Sequence, residues 1–271
     1  WSVGVQDNFI LSGGTYAINA VQVRNIDLAG NKSTTTNNTS SFTIDTTAPL
    51  SPTVSFHSGT TMYTTVTVTL ASGATTWEYS INSGSSWTAG SGQYLMLSEG
   101  TYAINAVQLR NSDAAGNTST ATTNTSSFTI DISAPSISAI TTDAFSWGAV
   151  LNAIEDNSGG TVDITTVGVE DGQPVTITLN GITYTSNILS NSTTVTISAY
   201  GLQGLTNGQS YTIIANVSDA AGNAAIQVTS SSFVVDTTAP SPPTVSFPSG
   251  TTMNTTVTVT LASGATTWEY S

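Results

Sequence analysis

Acidic and amide side chains recur at a fixed spacing along this chain, and their oxygens are of the kind that bind hard cations. The pentapeptide DAAGN occupies residues 113–117 and 219–223, and DLAGN at 27–31 is a near copy. A second aspartate follows the first one by 17 or 18 residues and opens DTTAP or DISAP. Ca²⁺ takes about six to eight oxygen ligands from carboxylates, amide and backbone carbonyls and water. The pattern therefore predicts calcium sites.

Each predicted site combines the D-x-A-G-N loop, at the end of a strand, with the aspartate that closes the last strand of the same domain. We expect the return of that strand to bring its aspartate to the pole of the loop, where a cation would lock the angle between neighbouring domains. The Ala-Pro that follows stiffens the linker, because proline fixes φ and restricts the residue before it. The predicted ligands form three sets, which are Asp27, Asn31 and Asp45; Asp113, Asn117 and Asp131; and Asp219, Asn223 and Asp236. Turn formation is the alternative, since Asp and Asn bond their own backbone and Gly supplies positive φ.

The composition narrows the classes of partner. The 271 residues include 16 Asp plus Glu and only 3 Lys plus Arg, for a formal net charge of −13. Nucleic acids and anionic membrane surfaces require Lys/Arg patches, so both are excluded as partners, and dissolved cations are the natural counter-charge. The chain has no cysteine, which excludes disulfides and thiolate metal sites. It has no apolar stretch near the length that spans a membrane.

Internal repetition predicts the domain organisation. GTYAINAVQ occurs at 14–22 and at 100–108, and residues 49–80 return at 240–271 with only four differences. The two offsets predict four segments, which are the C-terminal half of a type A domain (1–46), a complete type A domain (47–132), a complete and longer type B domain (133–237) and the N-terminal half of a type A domain (238–271). Repeats of this kind contact mainly their neighbours.

The two half-domains are complementary in sequence. Joined end to end, 1–46 and 238–271 lack only the counterpart of INSGSS, residues 81–86. Two hypotheses follow from this: the chain is one period of a longer array, or it is a subunit whose halves complement those of its neighbours.

The elements that must position the loops are β-strands. Apolar and polar residues alternate with period two in four segments, which are YTTVTVTL (63–70), VTITLNGITYTS (175–186), TTVTISA (193–199) and YTIIANVSD (211–219). Thr and Val dominate them, as suits half-buried strands. About seven short strands in each domain indicate an all-β chain of tandem Ig-like β-sandwich domains in an extended string. One short helical turn is expected within WGAVLNAIED (147–156).

Aromatic residues mark the predicted core. Tyr16, Tyr102 and Tyr211 each follow a Gly-containing turn, where a tyrosine corner would bond its hydroxyl to nearby backbone. The apolar phase slips between Ala106 and Val107, which predicts a β-bulge there. The remaining predicted core residues are Phe42, Ile44, Phe128, Ile130, Phe233 and Val235.

The chain resembles the bacterial Ig-like repeats of giant cell-surface adhesins exported by type I secretion. The resemblance rests on GVEDGQPVTITLNGITYT, YTIIANVSDAAGNAA and FVVDTTAP in the type B domain, and on WEYSINSGSSW and GTYAINAVQLRNSDAAGN in type A. It covers nearly the whole chain and implies an extracellular β-sandwich string with Ca²⁺ near domain junctions. It also implies an acidic loop near the N-terminal pole of type B, with Glu155 as a further metal ligand. This sequence departs from the family pattern just before that loop, where it has FSWGAV (145–150).

Catalysis is not expected. His57 is the only histidine, and its counterpart in the other type A segment is Pro248. No Ser-His-Asp set or zinc cluster is available. The adjacent acids Glu170 and Asp171 lie on one loop, whereas paired catalytic carboxylates face each other across a cleft.

Three functions remain. The first is a structural stalk of an extracellular, adhesin-like surface protein with calcium-stiffened linkers, whose partners are the neighbouring Ig-like repeats. The second is a repeat unit of a self-assembling extracellular filament, in which exposed β-edges pair between chains. The third is a carbohydrate-binding module that stacks sugars on Trp1, Trp77, Trp87 and Trp268, although these residues are also suited to the core or to an interface.

Overall fold

The computed structural model describes residues 1–4, 8–251, 253 and 255–271. Residues 5–7 of the predicted half-domain 1–46, and residues 252 and 254 of the half-domain 238–271, lie outside the described residues. The chain folds into two compact units, Trp1–Ile132 and Ser133–Ser271. Strands, turns and loops make up nearly all of both units, which confirms the all-β prediction. Within the described residues, no helix has the length and apolar character needed to cross a membrane.

Residues 1–46 form two short antiparallel strand pairs. The strands are β1 (Gly14–Tyr16), β2 (Gln22–Val23), β3 (Thr36–Asn37) and β4 (Phe42–Ile44). β1 pairs with β4, and β2 pairs with β3. The Tyr16 hydroxyl donates a hydrogen bond to the carbonyl of Ser12 at 2.9 Å, and its ring stacks on Phe42 with centroids 5.1 Å apart. This confirms the predicted tyrosine corner.

Residues 47–132 form a sandwich of ten strands. They are β5 (Thr53–Ser55), β6 (Gly59–Thr61), β7 (Thr65–Thr69), β8 (Thr76–Ser80), β9 (Thr88–Ala89), β10 (Tyr94–Met96), β11 (Gly100–Tyr102), β12 (Gln108–Ser112), β13 (Thr122–Thr123) and β14 (Phe128–Ile130). The sheets have the orders β10-β7-β5, β13-β12-β8-β9 and β11-β14-β6, and β6 runs parallel to β14. Alternating residues of β7 and β12 meet in the core, where Val66, Val68 and Leu109 are buried together with Trp77.

A turn replaces the predicted β-bulge in this sandwich. The backbone N–H of Ala106 donates to the carbonyl of Ala103 at 3.1 Å, and Asn105 has a φ of 62°. Asn tolerates this left-handed conformation better than most residues, since its short polar side chain can hydrogen-bond locally. The prediction of a bulge was wrong because the phase of the strand changes through a complete turn. Tyr102 still forms its corner, with the hydroxyl donating to the carbonyl of Ser98 at 3.0 Å.

The type B segment, 133–237, forms a second and larger sandwich. Its strands are β15 (Ser136–Ile137), β16 (Val150–Asn152), β17 (Gly160–Val167), β18 (Pro174–Leu179), β19 (Ile182–Asn187), β20 (Ser192–Ile197), β21 (Ser210–Tyr211), β22 (Ile214–Val217), β23 (Val228–Thr229) and β24 (Phe233–Asp236). The sheets are β15-β17-β20, β16-β24-β21 and β19-β18-β22-β23, and β16 runs parallel to β24. Asn180 and Gly181 form the β18–β19 turn with φ values of 47° and 81°.

Two short α-helices and a 3-10 helix (Thr142–Ala144) interrupt this second sandwich. α1 (Glu155–Ser158) follows β16 and shares only its first two residues with the segment 147–156, where one helical turn was predicted. α2 (Ala199–Gln203) was not predicted, and it begins where the Ser198 hydroxyl accepts the N–H of Gly201 at 3.3 Å. Tyr211 also forms a corner, because its hydroxyl accepts the backbone N–H of Thr206 at 2.9 Å.

Residues 238–271 form one antiparallel pair. The strands are β25 (Thr244–Ser246) and β26 (Thr258–Thr260). These are the counterparts of β5 and β7 in the complete type A domain.

Candidate interdomain joint

The D-x-A-G-N motif folds into a closed loop. In the type A domain, one carboxylate oxygen of Asp113 accepts the backbone N–H groups of Ala115 and Asn117, both at 2.9 Å. The other carboxylate oxygen accepts the side-chain amide of Asn117 at 2.9 Å. Gly116 provides the left-handed residue that the loop needs, with a φ of 91°. Both polar residues of the motif are therefore used to close the loop.

The same loop forms in the other two copies. The two bonds from Asn31 to the Asp27 carboxylate measure 2.8 Å each, and those from Asn223 to Asp219 measure 2.8 and 2.9 Å. The side-chain bond from Asn117 is the main cause that holds the pKa of Asp113 below its ordinary value, and the side-chain bond from Asn31 does the same for the pKa of Asp27. Hydrogen bonds to the ionised form favour that form. These loops therefore form by turn chemistry, the alternative reading of the motif.

The second aspartate of each predicted set lies at the opposite end of its hairpin from the loop. In the type A domain Gly100 pairs with Ile130 near one end of the hairpin, while Ser112 bridges Thr118 next to the loop. Asp131 follows Ile130 and is therefore at the far end from Asp113. The same register places Asp45 far from the loop at 27–31 and Asp236 far from the loop at 219–223. The structure therefore does not bring the second aspartate of each set to the loop of its own domain, because two neighbouring antiparallel strands put their connecting loop and their free ends at opposite poles.

The structure instead joins two segments of the first unit, which lie on either side of the domain boundary predicted between residues 46 and 47. The side-chain amide of Asn117 donates a second hydrogen bond, at 3.0 Å, to the backbone carbonyl of Asp45. The Asp45 carboxylate turns the chain towards the next domain by accepting the N–H of Thr47 at 2.9 Å. The backbone carbonyl of Asp45, in the segment 1–46, thus meets the side-chain amide of Asn117, in the segment 47–132.

The linker after this contact is bound to the same domain. The buried Asn111 amide donates to the carbonyl of Leu50 at 2.9 Å, and the Thr122 hydroxyl donates to the carbonyl of Pro52 at 2.7 Å. The Ser51 hydroxyl lies 2.8 Å from both oxygens of Thr120. Three consecutive linker residues, Leu50, Ser51 and Pro52, are therefore hydrogen-bonded to β12, to β13 and to the segment between these strands. The linker joint is the name we give to the hydrogen bond between Asp45 and Asn117 together with the hydrogen bonds of Leu50, Ser51 and Pro52.

The acids of the type B domain have other partners. Glu155 accepts the backbone N–H of Asn152 at 3.0 Å, so it holds the turn that leads into α1. Glu170 accepts the N–H of Ala220 at 2.9 Å and so lies beside the D-x-A-G-N loop of its own domain. The neighbouring Asp171 accepts the N–H of Ser190 at 2.7 Å. Sequence reasoning missed the contact of Glu170, because 50 residues separate it from the loop.

The donor set of the linker joint fits direct hydrogen bonding better than a cation. Within the described residues no three His, Cys, Asp or Glu side chains come together as metal ligands. Both oxygens of Asp113 accept N–H groups, and the Asn117 amide presents N–H to the Asp45 carbonyl. A calcium ion requires oxygens that point at it. In this arrangement the Asp113 oxygens and the Asn117 amide are engaged in hydrogen bonds, and the calcium ligands predicted from the sequence stay a prediction.

The tryptophans do not form one sugar-stacking face. Trp77 is 3% exposed, and its indole N–H donates to the carbonyl of Gly92 at 3.1 Å. Trp77 is therefore a core residue, the role that the sequence favoured for it, and it is not available to stack a sugar. The guanidinium of Arg110 covers the ring of Trp87 at 4.1 Å from the centroid.

No protein-family model and no curated protein matches the chain. Solved structures do match it. One is a Ca²⁺-stabilized adhesin with which an Antarctic bacterium reaches out and binds ice, 26% identical over 83% of this chain, with a TM-score of 0.36. Another is a 1.5-MDa bacterial ice-binding adhesin, 24% identical over 80% of this chain, with a TM-score of 0.37. A third is a bacterial immunoglobulin-like domain of the M. primoryensis ice-binding adhesin, 30% identical over 38% of this chain and 95% of that domain, with a TM-score of 0.27.

All three come from bacterial adhesins, and the third is an Ig-like domain, as in the family that the sequence resembles. The chain spans 58% of the length of the first of them and 74% of the second.

Proposed function

We propose that this chain is a structural stalk segment of an extracellular, adhesin-like protein at the bacterial surface, exported by type I secretion. In this function the Ig-like domains hold a distal binding part away from the cell, and the segment itself carries out no reaction. The observation that carries the proposal is the linker joint. A linker whose Leu50, Ser51 and Pro52 are bonded to the next domain transmits orientation from one domain to the following one.

Direct hydrogen bonds are the first candidate for what stiffens the joint. A buried amide such as that of Asn111 costs free energy when it loses its partner, so the linker stays bonded to it. Pro52 is buried as well, which adds apolar contact to the polar ones. The surface that remains is rich in Thr, Ser and Asn and poor in charge, as suits a segment that separates other parts of a protein.

Calcium is the second candidate, favoured by one observation. The Asn117 amide bridges the Asp113 carboxylate and the backbone carbonyl of Asp45, so a carboxylate and a carbonyl from either side of the predicted boundary approach one point. Rotation of the Asn117 amide would turn its oxygen towards this point. Calcium affinities of about 10⁻⁴–10⁻³ M are typical of extracellular modules.

Small-angle X-ray scattering of the chain, with calcium and then with a chelator, tests both candidates. Two results together support the direct joint. The maximum dimension does not depend on calcium, and it falls, with a broader ensemble, when Asn117 and Asn111 are both replaced by alanine. A dimension that shortens on chelation supports calcium. A profile that neither treatment changes would contradict the stalk, because the linker would then not determine the arrangement of domains.

A further inference from the structure

The loop that leads into the tyrosine corner is one residue longer in the type B domain than in the type A domain. It reads LTNGQSY (205–211) in type B and LSEGTY (97–102) in type A. The two corners differ accordingly, because the hydroxyl of Tyr102 donates to a backbone carbonyl, whereas that of Tyr211 accepts a backbone N–H. The longer loop ends in a turn that leaves Asn207 exposed at its tip.

Asn207 binds the segment in which the chain leaves the type B domain. Its side-chain oxygen accepts the backbone N–H of Thr237 at 2.9 Å, and its side-chain nitrogen donates to the hydroxyl of Thr238 at 2.7 Å. Both polar atoms of one side chain are therefore bonded to two consecutive residues, which lie 30 and 31 positions later in the sequence. We call residues 237–243 the exit linker.

The backbone beside Asn207 is bonded to β24, the strand that runs into the exit linker. The N–H of Gly208 donates to the carbonyl of Val235 at 2.8 Å, and the N–H of Val235 donates to the carbonyl of Gln209 at 3.0 Å. The sheet thus fixes the loop tip relative to the first residues of the exit linker. The Asn207 amide reaches these residues from a backbone that is already held in place.

The exit linker is stiff beyond its contact with Asn207. Three of its seven residues are prolines, namely Pro240, Pro242 and Pro243. Proline fixes its own φ and restricts the residue before it, and proline-rich linkers act as semi-rigid spacers. A stiff linker carries the direction of its first residues into the segment that follows.

This contact differs from the linker joint in the domain that supplies it. The two linkers begin alike, because the carboxylates of Asp45 and Asp236 each accept the backbone N–H of the residue two positions later. The linker joint then holds its linker from the segment that follows, through Asn117 and Asn111. Asn207 holds the exit linker from the domain that precedes it.

We propose, on the basis of the stalk function, that Asn207 is a positioning residue that sets the direction in which the chain leaves the type B domain. The longer loop brings the amide to the first two residues of the exit linker, and the prolines extend the direction of those residues towards the next type A segment. The type B domain thereby contributes a joint of its own, which is independent of the linker joint in the first unit.

Pulsed electron paramagnetic resonance between two spin labels tests the proposal. The chain has no cysteine, so Thr196→Cys and Thr258→Cys, both at exposed strand positions, place one label on the type B domain and one beyond the exit linker. We expect a narrow distance distribution in this doubly labelled chain and a broad one when Asn207→Ala is added. Asn207→Asp keeps the acceptor for the Thr237 N–H and loses the donor, so its distribution should be intermediate.

Asn180→Ala is the matched control variant. Asn180 also precedes a glycine in an exposed turn of the type B domain, but its side-chain amide donates to the carbonyl of Gly204 rather than to the exit linker. Its distance distribution should stay narrow. Thr238→Val removes one of the two bonds from the linker side and should broaden the distribution as Asn207→Asp does. Circular dichroism should show every variant fully folded, so that broadening does not come from unfolding.

Two outcomes overturn the proposal. A distribution as narrow with Asn207→Ala as without it would show that Asn207 does not set the direction of the exit linker. A distribution that is already broad in the labelled chain without further substitution would show that the exit linker is not held. The stalk function fails on a different measurement, a scattering profile that changes neither on removal of calcium nor on replacement of Asn117 and Asn111.

Discussion

The side-chain nitrogen of Asn117 lies 3.0 Å from the backbone oxygen of Asp45, 72 residues earlier in the chain. The same nitrogen bonds the Asp113 carboxylate at 2.9 Å. One amide therefore closes a loop within its own domain and binds the linker that leads into that domain. The predictions below separate these two roles.

Asn117→Ala should loosen the linker joint as well as the loop. We expect faster proteolysis between residues 45 and 52, together with a loss of about 1 kcal/mol in the free energy of unfolding, the usual magnitude for one hydrogen bond. Limited proteolysis followed by mass spectrometry measures the first effect. Asn31→Ala is the matched control, since it opens the equivalent loop at 27–31, and equal cleavage in both variants would contradict the joint.

Asn111→Ala should destabilise the first unit more than a surface substitution does. Asn111 is fully buried, and its loss leaves the Leu50 carbonyl without its donor, a change that costs about 1–3 kcal/mol. Urea unfolding measures the difference. Asn25→Ala replaces the exposed counterpart in the half-domain 1–46 and should change the midpoint little. A midpoint shift as small for Asn111→Ala as for Asn25→Ala would be inconsistent with an anchored linker.

Acid should weaken the loops in a defined pH range. The folded-state pKa values of Asp27 and Asp113 are lowered below their ordinary value of 3.8, mainly by the Asn31 and Asn117 side chains. A lowered pKa contributes stability that is fully present above the unfolded value and is lost as pH falls through the folded value. The unfolding temperature should therefore not vary with the titration of these groups near neutral pH, and it should fall below about pH 4.

Asp113→Asn is the variant that isolates this effect. It removes the titrating group, so the variant should be less stable than wild type at neutral pH and should lose less of its stability on acidification. Parallel thermal melts across the acid range would show it, and an unchanged acid slope would argue against these carboxylates as its source.

Gly90→Ala should disrupt packing in the type A core. A methyl group at Gly90 would overlap the ring of Trp77, which is 3% exposed and hydrogen-bonded to Gly92. Overpacking of this kind costs about 1–3 kcal/mol. Calorimetry should show a lower unfolding temperature for Gly90→Ala, whereas Gly4→Ala, which meets open space, should unfold like wild type.

The sequence was sufficient for the parts of the fold that depend on local patterns. Strand alternation identified β7, β18 and β20, and the Gly-Thr-Tyr signals located the corners at Tyr16 and Tyr102. These features follow from side-chain period and from the conformation of one turn. α2 was missed, since AYGLQ carries no amphipathic stripe and only the Ser198 cap marks its start.

The location of the joint required the strand order. Spacing alone allowed the aspartate after the last strand to be placed with the loop of its own domain, whereas the hairpin register puts Asp131 at the other pole from Asp113. The partner of the Asn117 loop is Asp45, from the domain before it. Sequence patterns identified the residues, and the pairing of antiparallel strands decided which of them meet.

The parallel pairing of β6 with β14, and of β16 with β24, has a mechanical consequence. β6 and β16 lie in the N-terminal parts of their sandwiches, whereas β14 and β24 are the last strands of theirs. A force that pulls the two ends of such a domain apart drives the parallel strands in opposite directions along their length. Their hydrogen bonds are then loaded in shear and must break together, whereas a hairpin pulled at its open end unzips one bond at a time. Each sandwich therefore resists a force applied at its two ends through the shear of one parallel strand pair.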